Sequence, residues 1–180
     1  ETSASPFDIG APPFKMFEIR LASIAPAVAT QDHASDRAAE PFDLETSSPV
    51  KGRVQQKWIG VKKKLPREAR LLEQCRSDAG VCTPAAKRFL AVIDKASARA
   101  GWTRIAEINR AINLSIKATT DTTQYGVHDR WASPLMSFAS GAGDCEDYAI
   151  AKYVALREMG VSEADLRLVI VHDRVANEDH

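Results

Sequence analysis

The sequence contains no apolar run approaching the roughly 20 residues needed to cross a bilayer, which excludes a membrane-spanning helix. It has no excess of either charge. Lys and Arg number 24 and Asp and Glu number 24, so no global field draws the chain to nucleic acid or to an anionic surface. Any specificity is therefore local. No internal repeat is present and aromatic residues are only 7% of the chain. With 44% hydrophobic and 27% charged residues over 180 positions, collagen-like, coiled-coil and wholly disordered chains are excluded. Cysteine is scarce: Cys75 and Cys82 lie close together, and Cys145 stands alone. That arrangement predicts one local disulfide and one free thiol, against the alternative of two reduced, part-buried thiols. A bridge over so short a loop contributes roughly 2.5 kcal/mol in the loop-entropy model and persists only in an oxidising compartment. The chain begins at Glu1 with neither a Met nor an apolar leader, as expected where a signal peptide is removed or absent.

Six of the nine prolines fall in residues 1–50, together with Ser and Ala runs, which predicts an extended or mobile leader there. Within it, Phe14, Met16, Phe17, Ile19 and Leu21 partly alternate with polar residues, the pattern of a short strand or docking segment. A folded domain is expected over residues 51–180. Val54, Trp58, Val61 and Leu65 form one helical face, interrupted or restarted at Pro66. A second helix is marked by Thr83 as N-cap and Pro84 at its first position, with Gly101 as its end and Phe89, Leu90 and Ile93 as its inner face. A third follows Thr103, with Ile105, Ile108, Ile112 and Ile116 on one side and Asn109 and Asn113 beside them. Residues 118–143 lack any period and read as a long loop, a length usually tied to binding or to covering a site. The next helix runs from Cys145 to Glu158, closed by Gly160, with Ala149, Tyr153, Leu156 and Met159 facing inward. DLRLVIVHD, from Asp165 to Asp173, alternates as a strand does.

The chemistry concentrates in GAGDCEDYA at 141–149. A cysteine in the first turn of a helix feels the positive end of the macrodipole, and the free N–H groups there can bind an oxyanion. Cys145 is thus placed as an acyl-transfer nucleophile, against the alternative of an inert buried thiol. Asp144, Glu146 and Asp147 oppose this, because neighbouring negative charge favours the neutral thiol. A hard dication such as Ca²⁺ would offset them, with Asp121, Asp129 or carbonyls of the preceding loop as further ligands. An EF-hand is excluded, since Ala149 stands where the turn glycine would fall. A cysteine nucleophile also needs a base. His172 near the strand end and His180 beyond the following turn are both placed for it.

GDCEDYAIAKYVALREMGV at 143–161, DLRLVIV at 165–171 and His180, with Ile105 to Asn113, YGVHDRW at 125–131 and the cysteine pair, resemble the bacterial transglutaminase-like cysteine proteinase family. Its characterised members are periplasmic, adhesin-releasing proteases of the LapG type. The resemblance spans roughly residues 54–180. It implies an α+β, papain- or transglutaminase-like fold, a helical N-terminal part with the nucleophile helix packed on an antiparallel sheet. It further implies Cys145 as nucleophile, His180 as base, Ca²⁺ held by Asp144, Glu146 and Asp147, and cleavage of the N-terminal region of a large surface adhesin that controls biofilm attachment. An inner-membrane cyclic-di-GMP receptor is the implied sequestering partner. Trp131 is expected in the substrate cleft or, alternatively, in the core. In this family a third residue, usually Asp, follows the histidine by another strand, whereas this sequence stops at His180. The domain is therefore expected to be C-terminally truncated, with an incomplete sheet, poor activity and an open edge available to a second copy as a homodimer. A transglutaminase-type acyltransferase and a non-catalytic binding domain of the same fold are the rival readings.

Overall fold

The computed structural model describes residues 52–180; the expected leader at 1–50 and its docking segment lie outside the described residues. The helical pairing at the start follows the apolar spacing. Helix α1 (Arg53–Lys62) buries Val61 and sets the Trp58 ring edge-on to Tyr153, with centroids 5.4 Å apart. Pro66 restarts the chain as α2 (Leu65–Ser77), sitting in the first turn where its missing N–H costs nothing. The predicted disulfide is formed. Cys75 in the last turn of α2 is bonded to Cys82, with Cα atoms 4.6 Å apart, across a 3₁₀ turn (Ala79–Val81). Thr83 then caps α3 (Pro84–Ser97) by accepting the Ala86 N–H at 3.1 Å, a bond that contributes about 1 kcal/mol.

Helix α3 is the centre of the core, packed on α4 (Gly101–Ser115) and on α6 (Pro134–Ser140). Phe89 meets Phe138 in a tilted edge contact at 5.0 Å, and both are fully buried with Ile108 and Ile112. Gly101 opens α4 and does not end α3, which stops four residues earlier at Ser97. Asn109 is half-buried and Asn113 exposed. Helix α7 (Cys145–Glu158) has the predicted bounds, but every residue from Ile150 to Leu156 is buried, so the expected single inward face is too narrow. Helices α3, α4 and α6 all pack against it, and a helix buried all round has no need of amphipathic spacing. None of these helices is long and apolar enough to cross a membrane.

The expected loop at 118–143 is structured. Strand β1 (Lys117–Ala118) pairs in parallel with β2 (Ala142–Gly143), so the intervening chain is an excursion that returns beside its start. It carries α5 (Asp121–Tyr125), capped by Thr120, and α6. Both helices are too short to show a period, which is why residue spacing does not announce them. The expected antiparallel sheet is also reduced. Residues 166–170 form no strand, and the hairpin of β3 (His172–Asp173) and β4 (Glu178–Asp179) is extended by one backbone pair, Val171 with His180. Alternation is a property of side chains, whereas a strand requires a hydrogen-bonded neighbour. The described part is thus a helix-rich mixed fold with two small sheet pieces.

Candidate active site

Cys145 is the first residue of α7, after Asp144 at the N-cap, and is a half-buried free thiol. Residues 141–143, leading into it, are fixed by the parallel pairing: Lys117 donates to the Gly141 carbonyl at 2.8 Å and Thr119 to the Gly143 carbonyl at 3.0 Å. Gly143 is required there by space. A Cβ at this position would lie 2.7 Å from Asp147 Oδ2 and 2.8 Å from its Cβ. The hairpin brings the other end of the chain to the same place. His180 exchanges two backbone hydrogen bonds with Val171, at 2.7 and 2.8 Å. As a result Cys145, Trp131 and His180 line one narrow cleft, together with Glu146, Ile150 and the apolar side of 168–170. His172 is not on that cleft. It is half-exposed and pairs through Nδ1 with Asp179 at 2.8 Å.

The carboxylates divide into two groups. Asp121, Asp144 and Glu146 each offer an oxygen within 4.8 Å of the others. Asp121 is 4% exposed, and its Oδ1 and Asp144 Oδ1 are buried without a hydrogen-bond partner. Orphaned buried oxygens beside a third carboxylate are the donor set of a hard divalent cation. Asp147 stands outside this cluster, fully buried in the first turn of α7, where Oδ1 accepts the Ala132 N–H at 2.8 Å. Asp129 is also elsewhere. It pairs with Lys57 and accepts the Trp131 Nε1–H at 3.2 Å.

Crowding sets the electrostatics. Burial, then Glu146, Asp147 and Asp121, push the Asp144 carboxyl up to about 8. Burial pushes Asp147 up to about 6 against the opposing Ala132 hydrogen bond. The Cys145 thiol is pushed far above its ordinary range, by burial first and then by Glu146, whose Oε2 accepts the thiol proton at 3.0 Å, and by Asp144. With its carboxylates uncompensated the site therefore holds a neutral thiol.

A residue that spacing could not reveal completes the site. Glu68, on α2, accepts from the Ser133 hydroxyl and from the Leu135 N–H at 3.1 Å, and so caps α6 from 67 positions away in sequence. Burial raises its carboxyl despite those bonds. The segment that carries Trp131 is thus held at Arg130 by Asp121, at Ala132 by Asp147, and at Ser133 and Leu135 by Glu68.

The sequence profile of the bacterial transglutaminase-like cysteine proteinase (BTLCP) family matches residues 65–180, more than half of the chain. The chain belongs to this family. No curated protein sequence matches it. The span matched to the transglutaminase-like cysteine proteinases runs from the start of α2 through the hairpin, and it contains Cys145, His180, all three residues of the acidic cluster, and Glu68. Membership supports cysteine protease chemistry in general, and the cleft containing a helix-terminal cysteine and a histidine is where such chemistry has its components.

Proposed function

We infer that the chain is a calcium-dependent, periplasmic cysteine endopeptidase that cleaves the N-terminal region of a large surface adhesin. The observation that carries the reading is the meeting of Cys145, at the start of α7, with His180 on one cleft. In this reading Cys145 Sγ attacks the peptide carbonyl and His180 takes the thiol proton, then returns it to the leaving amine. The unpaired N–H groups of the first turn of α7 face the developing oxyanion. Water then releases the acyl group.

Asp121, Asp144 and Glu146 would hold the Ca²⁺, which supplies positive charge beside the thiol. Engaging Glu146 and Asp144 there weakens two of the causes that keep Cys145 protonated. The disulfide supports an oxidising compartment such as the periplasm. Sequestration by an inner-membrane cyclic-di-GMP receptor belongs to the same reading. So does pairing of a second copy along 166–170, where Leu168 and Ile170 are exposed and the backbone forms no strand.

Incubation with a recombinant N-terminal adhesin fragment is expected to give defined cleavage in calcium, none in excess EGTA, and recovery when calcium is restored. Cleavage indifferent to EGTA would remove the calcium role. Absence of cleavage in both conditions would remove the endopeptidase reading.

A further inference from the structure

Asp121 faces two ways. Its Oδ1 is buried and unpartnered in the acidic cluster, while its Oδ2 accepts the backbone N–H of Arg130. Arg130 immediately precedes Trp131, which lines the cleft beside Cys145. On the far side of Trp131 the next amide, Ala132, is held by Asp147, which does not belong to the cluster. The indole itself is held by Asp129, which accepts the Trp131 Nε1–H, and of the two amides that flank the tryptophan only Arg130 is held by a member of the cluster. We propose that Asp121 is a positioning residue that ties the cation cluster to the Arg130 amide, so that the setting of Trp131 in the cleft wall depends on cation binding.

The physical basis is mutual repulsion. When ionised, three carboxylates with oxygens within 4.8 Å of one another drive one another apart unless a cation lies among them. Asp121 cannot relax into water, because it is buried, so displacement of its carboxylate is displacement of the acceptor that fixes Arg130. A cation that draws Oδ1 into the cluster fixes the carboxylate plane and with it Oδ2. The inference rests on the calcium reading given above and adds to it a mechanical link from the cluster to the substrate wall.

Three tryptophans are present in the sequence, and the other two are remote in setting: Trp58 packs on Tyr153, and Trp102 is 65% exposed. The test is a calcium titration of the wild-type chain and of Trp131→Phe, followed by tryptophan emission, with binding measured in parallel by calorimetry. A saturable emission change is expected in the wild type, with the calorimetric midpoint, and most of its amplitude should vanish in Trp131→Phe. In hydrogen exchange on the wild-type chain, the Arg130 amide is expected to slow about tenfold or more in calcium relative to EGTA, with the Ala132 amide changing far less. Calorimetric binding with no Trp131 signal and no change at Arg130 would overturn the link and leave the calcium reading standing. No calorimetric binding would overturn both.

Discussion

Replacing either Cys145 or His180 by Ala is expected to lower turnover of a cleaved peptide by about 10³-fold or more, because nucleophile and base act as a unit and losing one disables the other. The same substitution at His172 is expected to leave turnover within about threefold. His172 is paired with Asp179 on the hairpin, away from the cleft-lining residues. Helical content, read by circular dichroism, should be unchanged in all three variants, since none of these side chains belongs to the buried core. The contrast between the two histidines is the informative part. They lie eight residues apart on the same hairpin, and only the cleft geometry separates them. A His172→Ala variant as impaired as His180→Ala would transfer the role of base and overturn the assignment.

Stability of the chelated protein is expected to fall as pH rises from 5 to 8, the reverse of the usual carboxylate effect. The sign follows from Asp144 at about 8 and Asp147 at about 6. Both groups bind their proton more tightly in the folded chain than in the unfolded one. Their favourable contribution is complete below the ordinary carboxylate range and is lost as pH climbs through the raised values. Glu68, also raised by burial, adds with the same sign. Glu107, lowered mainly by its hydrogen bond to Lys95, acts oppositely, but its contribution is already fully present above pH 5. After discounting for partial solvent screening around Asp144, the fall is on the order of 1–3 kcal/mol. Urea unfolding in EGTA at several pH values measures it. Calcium at about a hundredfold over its Kd adds ~2.7 kcal/mol, and the gain should be larger at pH 8 than at pH 5 because protons compete for the same oxygens. A chelated protein that grows more stable between pH 5 and 8 would show that the carboxylates are not crowded in solution.

Much of this arrangement is legible in the sequence where the signal is local. Thr83 and Pro84 mark the start of α3, and the residues from Asp144 to Gly160 give the bounds of α7. The cysteine spacing anticipates the bond at 75 and 82. What escapes is long-range or too short to repeat. Helix α5 has five residues and α6 seven, below the length at which a 3.6-residue period can be counted. The alternation of 166–171 is real, yet no residue in it says where a pairing partner lies. Among the acidic residues, proximity in sequence groups Asp147 with Asp144 and Glu146, while the helix turns Asp147 inward toward Ala132 and leaves the cluster to Asp121. Glu68 has no local signal at all, since its partners at 133 and 135 are joined to it only by the packing of α2 against the rest.

That last contact ties the cleft to the docking of a distant helix. Glu68 and Leu135 are 67 positions apart in sequence, so the bond forms only after a long loop has closed and its entropic cost has been met by the core. The helices can therefore be in place before the cleft is. On this ground loosening of α2 is expected to release the segment that carries Trp131 before the helices themselves melt.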